Sequence, residues 1–100
     1  MSVCGCWDQV VRLDLAVKSL ADAIKMRKWK EARKDLPLVE KLIEELEKCS
    51  GIGLLGARSR LEMVKREMAR YDWVRAWVDA ESIMNEIIYD IGCRRFKIRR

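Results

Sequence analysis

Histidine is absent from this chain, proline and phenylalanine each occur once, and no uninterrupted apolar run approaches the roughly 18 residues of a membrane-spanning helix. Each absence removes a class of function. Without histidine there is no Ser-His or Cys-His nucleophile pair, and no mixed cysteine-histidine metal site. Without a long apolar run no helical membrane span is expected. The opening residues Met1 to Cys6 also lack the charged-then-apolar order of a secretory leader, so the chain reads as soluble and cytoplasmic. No segment alternates apolar and polar side chains with a period of two, so strands are not expected.

What is present is a half-apolar chain of 100 residues, enough for one core and too short to divide it. The formal charge of +5 is unevenly placed. Arg94, Arg95, Lys97, Arg99 and Arg100 all follow the last acid, Asp90, which leaves residues 1–93 with 16 basic and 16 acidic side chains. The reading is a neutral single domain over 1–93 and a basic tail over 94–100.

Apolar residues at Val10, Leu13, Val17, Leu20 and Ile24 recur in steps of three and four, which predicts a helix over 7–27. The stripe changes phase near Trp29, so a turn is expected between Met26 and Trp29, although it lacks the usual glycine or proline. A second helix follows with Trp29, Ala32, Leu36, Val39, Ile43 and Leu46, and Pro37 inside it predicts a kink near 33–37. The rival is a first helix that runs on to Lys34 and stops before Pro37. Gly51 and Gly53 end the second helix. The third carries Ala57, Leu61, Val64, Met68 and Tyr71; its start lies either at a Ser59–Glu62 capping box or already at Leu54 and Leu55. Asp72 is the expected cap of a fourth helix bearing Trp73, Ala76, Trp77, Ala80, Ile83, Met84 and Ile87, closed by Gly92. Short links make neighbours antiparallel. The expected fold is therefore all-α, an up-down-up-down four-helix bundle with hairpins over 7–49 and 54–92.

Sliding the sequence by 44 residues superposes Trp29 on Trp73, Ala32 on Ala76, Asp35 on Asp79, Ile43 on Ile87 and Cys49 on Cys93. A duplicated helical hairpin explains these pairs; shared helical periodicity is the alternative. The segments 24–32 and 68–76 resemble the hairpin tip of tetratricopeptide-type repeats, where a short polar turn precedes an aromatic and a small residue. That family's tryptophan-leucine-glycine-tyrosine signature is missing and its period is about 34. Its peptide-binding function is accordingly not carried over.

Alternating helices would bring the start of the first, the end of the second, the start of the third and the end of the fourth to one pole. Cys4, Cys6, Cys49 and Cys93 should then gather there. Three readings stand side by side: a four-thiolate zinc or iron-sulfur site, one or more disulfides, or inert thiols. The disulfide candidates are Cys49 with Cys93, or either of these with Cys4 or Cys6. Gly51-Ile52-Gly53-Leu54-Leu55-Gly56 matches the spacing of a dinucleotide fingerprint but has no preceding strand, and is read as cap, link and packing residue. Arg58 and Arg60 nearby could hold a phosphate at a helix start.

The tail could neutralise phosphates with Arg94, Arg95, Lys97, Arg99 and Arg100 while Phe96 stacks on a base. Lys25, Arg27, Lys28, Lys30, Arg33 and Lys34 surround the first turn with only Glu31 among them, either as a solvated face or as a second phosphate contact. The acids Glu40, Glu44, Glu45 and Glu47 read as a solvated face. Together these features point to a non-enzymatic helical interaction module that contacts nucleic acid or another polyanion. The alternatives are a cysteine-ligated metal or redox protein, and a bundle that dimerises through Val74, Val78 and Ile88.

Overall fold

The computed structural model describes the backbone of residues 3–91 and the side chains of residues 5–90. A short 3-10 turn, Val3–Cys6, leads into α1 (Trp7–Lys25), α2 (Trp29–Ser50), α3 (Leu55–Ala69) and α4 (Trp73–Ile91), and no strand occurs among the described residues. The fold is the expected all-α four-helix bundle. Gly92 and the tail 94–100 lie outside the described residues.

Contacts between helices fix the direction of each. At one pole Cys6, before α1, meets Cys49, near the end of α2, while the Gly56 N–H at the start of α3 points to Asp90 at the end of α4. At the other pole Trp29, opening α2, stacks on Trp73, opening α4. Each helix therefore runs against the one before it. Helix α1 packs on α2 and α4, and α4 on α3; the α2–α3 seam is the thinnest of the four. Ion pairs bridge that seam, Arg58 to Glu47 and Lys65 to Glu40.

The core follows the apolar stripes, and its members correspond across the 44-residue shift. Val10 and Leu54, Leu13 and Ala57, Val17 and Leu61, Leu20 and Val64, Ile24 and Met68, Ala32 and Ala76, Val39 and Ile83, Ile43 and Ile87 are all buried. Burying each large aliphatic side chain in this set contributes about 1.5–3 kcal/mol.

The two tips correspond in backbone as well. Arg27 has φ 61° and Tyr71 has φ 57°, the only non-glycine residues in the left-handed region among those described. In the first tip the Lys28 N–H donates to the Ala23 carbonyl, the Arg27 N–H to Ile24 and the Ala32 N–H to Lys28; in the second, Asp72 donates to Glu67, Tyr71 to Met68 and Ala76 to Asp72. This is the six-to-one closure of a Schellman cap, normally built on glycine. Holding a side-chain-bearing residue there costs about 1–2 kcal/mol. The left-handed residue also explains why α1 stops at Lys25, two residues before the expected end, and why no first helix reaches Lys34.

Two further features decide between alternatives that the sequence left open. Helix α3 starts at Leu55, not at Ser59, because Glu47 accepts the Leu54 N–H at 2.8 Å and so fixes the helix start from α2. Helix α2 continues through Pro37, which lies with Arg33, whose carbonyl loses its partner, on the exposed side of the helix. Gly51 closes α2 at φ 73° and donates to the Glu47 carbonyl, and Asp72 caps α4 by accepting the Arg75 N–H.

Ala32 and Ala76 are fully buried where the tips converge. Ala76→Leu should overpack this contact and destabilise the protein by about 1–3 kcal/mol in chemical denaturation, while Ala69→Leu, at an exposed position, should leave stability nearly unchanged.

Candidate functional site

Cys6 and Cys49 form a disulfide with Cα atoms 6.0 Å apart, Cys6 fully buried and Cys49 packed against the core. The pairing joins the first turn of the chain to the last turn of α2, one of the combinations open at the level of sequence. Cys93 and the side chain of Cys4 lie outside the described residues. Among the described residues there is no group of three or more cysteines and acids placed to hold a metal ion. With their sulfurs joined, Cys6 and Cys49 offer no thiolate, so a four-thiolate site would require that bond to be reduced first.

Beside the disulfide the start of α3 is occupied by carboxylates. Glu47 accepts the Leu54 N–H and receives the Arg58 guanidinium, with Nε 2.9 Å from Oε2. Arg58 holds the Glu47 carboxyl below its usual range. Asp90 accepts the Gly56 N–H at 3.3 Å. A Cβ on Gly56 would fall 2.7 Å from a Glu86 oxygen and 3.2 Å from Asp90, so this glycine allows the two helix ends to approach. Arg60 is taken as well, by Asp79 at 2.7 Å and Glu86 at 3.2 Å. Arg58 and Arg60, candidates for a phosphate, are both committed to carboxylates, and Glu47 is not part of a solvated face.

Asp79 is 6% exposed, the one buried charged residue among those described. Its neighbour Glu67 has a buried carboxyl oxygen with no hydrogen-bond partner among the described residues, as does the indole N–H of Trp77. Burial, followed by the adjoining Asp79, pushes the Glu67 carboxyl up to about 7. A proton on this pair satisfies two acceptors that otherwise repel. None of this was anticipated from sequence. The signal was there in Asp79, a charge three residues after Ala76 and four before Ile83, inside the apolar stripe of α4.

The opposite pole is basic and aromatic. Trp29 and Trp73 stack with centroids 3.5 Å apart and planes inclined by 22°. Tyr71 meets Trp29 edge-on at 5.7 Å, and the Arg27 guanidinium lies 5.3 Å from the Trp73 centroid. The contacts are reciprocal: position 27 touches the tryptophan of the second hairpin, and its equivalent at 71 touches that of the first. Such exchange is the mark of a two-fold relation, here approximate and within one chain. Lys25 adds a cation 5.7 Å from Trp77. Trp29, Trp73 and Trp77 are half-buried and packed against the core.

Lys25, Arg27, Lys28, Lys30, Arg33 and Lys34 are all exposed, and none forms an ion pair among the described residues. A groove beside this pole, between α1 and α2, encloses about 590 Å³ and mixes Lys18, Lys28 and Lys34 with Asp22, Glu31 and Asp35. Its balanced charge gives it no preference for anions. The tail residues Arg94, Arg95, Phe96, Lys97, Arg99 and Arg100 lie outside the described residues. No helix among the described residues is long and apolar enough to cross a membrane. No protein-family model, curated protein or solved structure matches this chain.

Two outcomes follow from the buried groups. Because the folded state raises Glu67 from the ordinary 4.5 to about 7, it binds that proton more tightly than the unfolded chain does. The associated stability is fully present below pH 4.5 and is lost as pH rises toward 7. Thermal melts should show this decline in the native chain and a flatter profile in Glu67→Gln, whose amide donates to Asp79 at every pH; identical profiles would exclude the shared proton. Reducing the disulfide, or Cys49→Ser, should cost about 2–4 kcal/mol and lower the melting temperature by roughly 10 °C or more.

Proposed function

We propose that this chain is a non-enzymatic helical interaction module that binds nucleic acid or another polyanion. The observation that carries the reading is the set of six exposed cations at 25–34, close together in sequence and none of them in an ion pair among the described residues. Phosphates would release counterions from such a surface, and the five basic residues of the tail, with Phe96 among them, add to the same attraction. Missing histidine and the commitment of Arg58, Arg60, Glu47 and Asp79 to one another weigh against catalysis.

Two other readings draw on particular features. The Cys6–Cys49 bond favours a redox role, with a zinc or iron-sulfur site open only to the reduced chain. Val74 and Val78, 69% and 47% exposed on the outer face of α4, favour a homodimer. A cytoplasmic placement belongs to the proposal too, and fits a disulfide best in a hyperthermophile cytosol, where such bonds persist.

Fluorescence anisotropy with a labelled oligonucleotide across a salt series tests the main reading. Binding should weaken linearly in log salt, by about 0.7 to 0.9 per phosphate contacted. Removing residues 94–100, or introducing Lys28→Glu with Lys30→Glu, should each lower both affinity and slope. If neither change moves either quantity, the polyanion reading is wrong.

A further inference from the structure

We infer that the bundle tip takes single-stranded nucleic acid, with an unpaired base stacked on Tyr71 and its flanking phosphates held by Arg27, Lys28 and Arg70; this rests on the polyanion reading above. Three observations converge. Tyr71 is 60% exposed, a large aromatic ring at the left-handed residue of a turn. It meets Trp29 edge-on, and Trp29 is itself stacked on Trp73, so the ring is braced by an aromatic stack. Arg70 precedes Tyr71 in sequence, Arg27 and Lys28 precede the Trp29 on which it rests, and all three are exposed without an ion pair among the described residues.

Backbone conformation adds a reason to read this as a site. Arg27 and Tyr71 occupy the two left-handed positions that glycine or asparagine fills without strain. Strain held at a position is a pointer to function when the side chain kept there has a use of its own. Here the two strained positions carry a guanidinium and a phenol ring, the pair that recognises a phosphate and a base. A duplex suits the tip poorly, since its bases are stacked inward and cannot reach the ring of Tyr71. An unpaired base presents the π-face that an exposed ring can meet.

The test uses the full chain, titrated with a labelled oligo-dT strand, a duplex of equal length, and heparin. Tyr71→Gly should weaken oligo-dT binding by about tenfold or more, leave duplex and heparin binding unchanged, and keep the melting temperature at or above that of the native chain. Tyr71→Phe should retain oligo-dT affinity; if the glycine variant does not fold, Tyr71→Asn replaces it. Equal weakening for all three polyanions, or none for any, overturns the stacking site and leaves the polyanion reading standing. Binding to anionic lipid vesicles but not to oligo-dT also overturns it. A native chain that binds none of the three polyanions removes the polyanion reading and the stacking site together.

Discussion

The stack of Trp29 on Trp73 is the contact through which the two halves of the molecule meet at the tip, and the rest of the arrangement depends on it. It joins the first residues of α2 and α4, so it sets how the two hairpins are turned toward one another. Around it the chain repeats itself at a spacing of 44 residues: the same left-handed residue, the same backbone bonds and the same buried alanine. Because each tryptophan also receives the turn residue of the opposite hairpin, the contact works in both directions. Aromatic pairs of this kind contribute about 0.5–1.5 kcal/mol beyond the area they bury, and here they fix an angle as well.

The second half departs from the first in one consistent way. Where hairpin one has Ala16, Ala23 and Leu42, hairpin two has Arg60, Glu67 and Glu86, and the equivalent aspartates Asp35 and Asp79 live in different surroundings. Asp35 takes a hydroxyl from exposed Ser19, whereas Asp79 is buried against Arg60 and Glu67. The α3–α4 pair thus holds together partly through charge, and the thin α2–α3 seam does so too. Removing one member of a buried pair is costly because its partner remains desolvated. These polar contacts narrow the ways in which the hairpins can be assembled.

Much of the fold was legible from periodicity. Steps of three and four among Val10, Leu13, Val17, Leu20 and Ile24 mark α1, and every one of them is buried. What periodicity could not show was how the turns close. Arg27 and Tyr71 adopt a glycine-like conformation with no local sign of it, because the cost is met by tertiary packing on the tryptophans. The start of α3 stayed open between Ser59 and Leu54–Leu55 for a similar reason: its first N–H is satisfied by Glu47, seven residues back and on another helix. At the candidate site the cation run at 25–34 was plain in sequence, but the exposure of Tyr71 and its bracing by Trp29 depend on the meeting of two distant segments.

The covalent link at Cys6 and Cys49 spans one hairpin alone. In the oxidised chain α1 and α2 form a closed ring of backbone, whereas α3 and α4, among the described residues, are tethered only by what they touch. A ring has fewer ways to be disordered than an open strand. Two segments built to a common plan are therefore held differently among the described residues, and the one without the ring there supplies Tyr71 to the tip.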